Sequence, residues 1–126
     1  MEQNVIGWVE IPVTDMDRAK AFYEKVFDFE IQVHSMGDFI MGWFPFAQGK
    51  EGASGSLVKH PEAYKPSVSH GPVVYFSSSN VQGELDRVEA AGGSIIQPKT
   101  QITEEIGYMA IIQDSEGNRI ALHSRT

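Results

Sequence analysis

The strongest constraint in this sequence is an internal repeat with an offset of 65 residues. In its first half, Ile6 to Val13 alternates Trp8, Glu10 and Pro12 with Val9, Ile11 and Val13. That period of two is the mark of a strand whose faces meet different surroundings. Thr14 or Asp15 then caps a helix, with Asp17 in its first turn favouring the positive end of the dipole. Ala19, Phe22, Tyr23 and Val26 fall at i, i+3, i+4 and i+7, a buried helical stripe. The second half opens with a strand from Val73 to Ser78, an N-cap at Asn80 and a stripe of Val81, Leu85 and Val88, closed by Gly92-Gly93. Asp15 and Asn80 lie 65 positions apart, as do Trp8 and Val73 in the opening strands and Ser56 and Ala121 in the closing ones. One offset serving both ends argues for a duplicated unit without large insertions.

The remaining elements complete each unit. In the first, the pattern predicts strands over Phe29 to Val33, Phe39 to Phe46 and Ala53 to Val58, with a turn at Ser35 to Asp38. In the second it predicts strands over Ser94 to Gln97, Tyr108 to Gln113 and Arg119 to His123, with a turn at Ser115 to Asn118. Thr100 to Gly107 reads as a longer polar loop that could close over a cleft. The expectation is an α+β fold in one domain, residues 1–126. It holds two βαβββ modules, about 5–59 and 73–124, joined by a connection over 60–72 that contains three prolines. A chain of 126 residues has room for one core.

Charge and composition narrow the partners. The net charge is −7, and no Lys/Arg-rich run is present, so nucleic acid and anionic lipid are poor partners. There is no cysteine, which removes disulfides, thiolate metal sites and a Cys nucleophile together. Met1-Glu2-Gln3-Asn4 lacks a signal-peptide start and no apolar run suits a membrane span, so a cytoplasmic protein is expected. Neither a phosphate-gripping glycine loop nor a dinucleotide fingerprint occurs.

The segment from Trp8 to Asp15, followed by Ala21-Phe22-Tyr23-Glu24-Lys25-Val26-Phe27, resembles the opening of vicinal-oxygen-chelate proteins. These include glyoxalase I, the bleomycin-resistance proteins and extradiol dioxygenases. Tyr108 to Asn118 is similar to their final strand pair, with its Asp-x-x-Gly-Asn turn at Asp114 to Asn118. The resemblance covers nearly the whole chain. It implies an eight-stranded cup with the helices outside, formed within one chain or across a symmetric homodimer. Val9, Ile11, Val74, Phe76, Ile120 and Leu122 would then face the helices, and Trp8, Glu10, Val73, Tyr75, Ala121 and His123 the cup.

Metal-dependent members of that family draw His or Glu ligands from places that here hold Trp8, Ser56, Val73 and Ala121. Three of these cannot ligate and a serine hydroxyl is a poor ligand, so no metal is expected at the standard site. Two residues deeper, Glu10, Tyr75 and His123 are the polar group expected to converge in the cup. They form either a hydrogen-bonded cluster that orients a ligand or a displaced site, with Glu10 and His123 holding a metal or acting as a base and its partner, and Tyr75 as proton donor. Trp43, Phe44 and Phe46 are read as cup lining, core or dimer contact, and His34, His60 and His70 as solvated residues near strand ends or in the connection. Two readings follow, beside a third in which the cup is vestigial and the chain acts only through its interface. One is a small-molecule-binding protein without a cofactor, using Trp8, Glu10, Trp43, Ser56, Tyr75 and His123. The alternative is a glyoxalase-like lyase or isomerase using a displaced Glu10/His123 site, the one reading that admits a divalent metal; as an enzyme the chain would belong with these or with dioxygenase-related activities. Either acts on a small organic molecule.

Overall fold

In the computed structural model, which describes residues 2–126, the alternation at Trp8–Pro12 becomes strand β1. Asp15 caps α1 (Met16–Phe27), its carboxylate accepting from the Arg18 amide at 3.0 Å. The predicted stripe is the buried one: Ala19, Phe22, Tyr23 and Val26, with Met16 added. Then come β2 (Gln32–Met36), β3 (Phe39–Trp43) and β4 (Ser54–Lys59). The second module repeats the order with β5 (Val74–Ser77), α2 (Val81–Val88), β6 (Ser94–Thr103), β7 (Gly107–Gln113) and β8 (Arg119–Ser124). Asn80 caps α2, and Gly92, at φ 104°, turns the chain so that the Gly93 amide donates to Val88 O at 3.0 Å.

Several boundaries differ from the sequence pattern: β2 begins at Gln32 and not at Phe29, and β3 ends at Trp43 and not at Phe46. The β2–β3 turn is only Gly37-Asp38, so Ser35 and Met36 belong to the strand. The polar stretch after Thr100 is not a long loop over a cleft. Thr100 pairs with Met109 and Gln101 with Tyr108, leaving only Glu104 to Ile106 as the turn. Pro98 cannot donate to a ladder and breaks the alternation, but a register shift between Gln97 and Thr100 absorbs it and pairing resumes.

The strands form two four-stranded sheets, ordered β1-β4-β3-β2 and β5-β8-β7-β6, each opening with a parallel pair and continuing antiparallel. Gly55 sits opposite Val9 in the first parallel pair, where an added Cβ would lie 2.1 Å from Val9 O. Only glycine lets β4 close on β1 there.

One face of each sheet packs on the helices. Ile11, Leu57, Ala110, Ile112, Ile120 and Leu122 join both helical stripes in a single core, with Val9 and Phe76 packed against it, as the alternation predicts. Phe44 also belongs there, 5.6 Å from Phe76 and 5.9 Å from Tyr23 between ring centres. The modules meet through α1 and α2, whereas β1 keeps all its Cα atoms more than 8 Å from those of β5 and β8.

A polar clamp fastens one module to the other. The turn between β7 and β8 reaches the start of α1, where one Glu116 oxygen accepts from the amides of Thr14 and Asp15 at 3.0 and 2.9 Å. The other accepts from Arg18 Nε at 2.7 Å. Asn118 donates to Pro12 O at 2.7 Å, and the buried Tyr23 hydroxyl donates to Asp114 Oδ2 at 2.6 Å. Burial, followed by the charge of Asp114 and this hydrogen bond, pushes Tyr23 well above the ordinary tyrosine pKa, so it stays a donor. Among the described residues, no helix is long and apolar enough to cross a membrane.

Candidate functional site

The faces that the core leaves free are where function can be placed. On the first sheet, the register puts Trp8, Glu10, Met41, Trp43, Ser54, Ser56 and His34 on the side away from α1. Trp8 is 48% exposed and Trp43 37%, large fractions for the only two tryptophans in the chain. Glu10 stands beside Trp8 and, on the same face, across Ser56 of β4 from Trp43. Its carboxylate accepts from the Trp8 indole at 3.4 Å and from the Tyr64 hydroxyl at 2.5 Å. The hydrogen bond to Glu10, then burial and the carboxylate charge, raise the Tyr64 pKa, which keeps the phenol protonated as donor.

Tyr64 is a site residue that the sequence pattern missed. The connection folds back over the first sheet, where Phe39 meets the rings of His60 at 4.5 Å and Tyr64 at 6.0 Å. Two histidines also change standing. His34 lies inside β2, with its ring 4.1 Å from Trp43, and His60 continues the open face of β4. His34 Nε2 and His60 Nδ1 are both buried without a hydrogen-bond partner. They are not solvated loop residues. His70 is one, exposed and paired with the Ser69 hydroxyl at 2.7 Å.

The second sheet carries its own open face. Tyr75 is 53% exposed on β5, and His123 Nε2 donates to Ile106 O in the β6–β7 turn at 2.7 Å. Glu10 and His123 therefore lie on separate sheets and bond to different partners. The expected convergence of Glu10, Tyr75 and His123 does not occur within one chain. The reason lies in how the modules pack: they join through their helices, which leaves the open faces apart. Phe46 is exposed beyond the end of β3, so of the three aromatics from 43 to 46 only Trp43 lines the open face.

The positions where the family's metal ligands fall offer no donor set. Trp8 donates its indole N–H to Glu10, the buried Ser56 hydroxyl is turned to Leu57 O at 2.7 Å, Val73 precedes β5 and Ala121 is buried. These residues do not fit a divalent ion. Among the described residues, no three His, Asp or Glu side chains gather to hold one.

Between the free edges of β1 and β5 lies a cleft of about 740 Å³, which Ser54 of the first open face and Val73 and Tyr75 of the second also border. Its apolar lining includes Val9, Phe29, Phe44, Val74 and Phe76, and residues 4–6 border it.

No curated protein matches the chain. Among solved structures, TnmS3, an antibiotic binding protein from a Streptomyces species, superposes with a TM-score of 0.71 at 21% identity, over 100% of this chain and 99% of that one. A glyoxalase/bleomycin resistance protein from Albidiferax ferrireducens gives 0.71 at 15%, over 98% and 100%. Glyoxalase I from Zea mays gives 0.70 at 16% and covers 94% of this chain; the match spans only 45% of the maize protein. At these identities the likeness shows the fold alone. The family profile described as glyoxalase/bleomycin resistance protein/dioxygenase superfamily matches residues 5–122, and with two βαβββ modules in place the chain belongs to that superfamily.

Proposed function

We propose that this protein binds a compact organic molecule on the open face of its first sheet, without a divalent metal, and that a second copy supplies the facing wall. One observation carries the reading: both tryptophans and a carboxylate stand together on a face the core does not use. Aromatic walls with a few placed polar groups are the usual make-up of small-molecule sites. The net charge of −7 favours a neutral or cationic ligand. An antibiotic binding protein among the structural neighbours supports a binding role.

The dimer follows from what each chain leaves open. The two open faces do not meet within the chain, β1 and β5 each keep one free edge, and Trp8, Trp43, Val73 and Tyr75 remain exposed around them. A symmetric pair would set the first module of one copy against the second module of the other. The lyase or isomerase alternative needs Glu10 and His123 on one ion, and no contact within the chain favours that.

Because both tryptophans flank the site, their emission reports on it directly. Titration with a panel of neutral and cationic aromatic compounds is expected to quench that emission with a saturating curve. Trp8→Phe and Trp43→Phe should each weaken the binding about 3–10-fold, the contribution of one aromatic contact. Sedimentation run alongside should give twice the chain mass. Emission indifferent to the whole panel would refute the site, and a monomer at tens of micromolar would refute the shared cup.

A further inference from the structure

The binding face carries its own occupant. Tyr64 lies over the first sheet with its hydroxyl on Glu10, 2.5 Å away, and its ring edge-on to Phe39. An exposed carboxylate on an aromatic face is the group a ligand would use as its polar anchor. Here a phenol from the protein's own connection already holds it. Resting on the function proposed above, we infer that Tyr64 is an internal competitor: the connection over residues 60–72 is a strap, and the ligand is an aromatic molecule whose ring-borne O–H or N–H displaces the Tyr64 hydroxyl from Glu10.

The rest of the strap is built for such a release. Among the described residues, the Tyr64–Glu10 bond is the one side-chain hydrogen bond from residues 61–66. Pro61 and Pro66 bracket this stretch. Beyond it the strap is fastened elsewhere, by the Arg119 amide to Ser67 O at 3.2 Å and by Arg119 Nη2 to Gly71 O at 3.3 Å. The amides of Ala63 and Tyr64 donate to His60 O at 3.1 and 2.9 Å, so residues 61–66 can lift as a turn hinged at His60 while the end of the strap stays anchored on the second module. Beside Tyr64, with ring centres 6.4 Å apart, the buried His60 Nδ1 has no partner. A buried imidazole nitrogen left unpaired is costly, and a ligand that moves Tyr64 aside gains a second polar contact there. The ligand class is thus an aromatic ring bearing a hydrogen-bond donor, and the carboxylate it meets disfavours an anion.

The test uses the full chain and the probe pair 2-naphthol and 2-methoxynaphthalene, which share a ring system and differ in the donor. Calorimetric titration is run on wild type, Tyr64→Phe and Tyr64→Phe/Glu10→Ala. Removal of the competing hydroxyl should make Tyr64→Phe bind 2-naphthol about tenfold tighter than wild type, the scale of one hydrogen bond to a charged group. The methyl ether should gain nothing, and loss of Glu10 should erase the improvement. Naphthol affinity that is unchanged or weaker in Tyr64→Phe overturns the strap, as does an equal gain for the ether. If naphthol still quenches the tryptophans in that case, the binding face survives and only the competitor fails. If neither probe binds any variant the strap falls, and if the wider aromatic panel is also silent the binding face falls with it.

Discussion

Asp114→Ala is expected to lower the unfolding free energy by about 4 kcal/mol, enough to leave a domain of ordinary stability marginal at room temperature. Asp114 is 2% exposed and accepts four hydrogen bonds. They come from the Tyr23 hydroxyl at 2.6 Å, the amides of Glu116 and Asn118 at 2.8 Å each, and Asn118 Nδ2 at 2.9 Å. Alanine removes the acceptor and leaves these buried donors facing nothing. Each unpaired donor costs roughly 1–3 kcal/mol, and relaxation recovers part of the sum. The same loop holds Pro12 and the start of α1, so the loss loosens both modules. Tyr23→Phe deletes only one donor and should cost about 1 kcal/mol. Urea unfolding followed by circular dichroism checks the order: a loss below 1 kcal/mol in Asp114→Ala would contradict the clamp.

Glu116 makes the same clamp sensitive to acid. Burial alone would raise its pKa, but the Arg18 hydrogen bond, the Asp15 amide, the Ser115 hydroxyl and the Thr14 amide outweigh burial and hold it at about 2, against an ordinary 4.5. The sign follows from linkage. A carboxyl group whose folded pKa is depressed stabilises the fold above its unfolded pKa, and that stability is lost as pH falls through the folded value. The contribution is therefore full above about pH 5 and disappears between there and pH 2, and amounts to about 2–3 kcal/mol at neutral pH. Glu116→Gln should lower the melting temperature by roughly 8 °C at pH 7, with a difference from wild type that shrinks toward pH 2. A gap that stays constant down to pH 2 would assign the effect to packing instead of charge.

The clamp also shows what kind of information the sequence carried. Asp114-Ser115-Glu116-Gly117-Asn118 is readable as a turn because Gly and Asn permit it, and that reading is local. Its grip on Thr14, Asp15 and Arg18, about 100 positions away, leaves no periodicity to read. The helices, their stripes and the strand faces were legible because burial imposes periods of 3.6 and 2 on neighbouring residues. His34 was misplaced since the strand pattern was begun at Phe29, three residues before β2, which put His34 beyond its end. Tyr64 was invisible because a proline-rich connection has no period, and only its fold-back brings the phenol to Glu10. The expected meeting of Glu10, Tyr75 and His123 depended on how two modules pack, which the repeat does not encode.

The proposal that the cup works without a metal is tested most directly by thermal unfolding of the chelator-treated protein with added Ni²⁺, Co²⁺, Zn²⁺, Mn²⁺ or Fe²⁺. Glu10→Ala and His123→Ala are measured alongside. A metal present at about 100 times its dissociation constant would stabilise the fold by roughly 2.7 kcal/mol, a rise of several degrees. The account predicts no rise with any of the five ions. A rise of several degrees with one of them, lost in both variants, would contradict it and bring Glu10 and His123 together on an ion across the two copies.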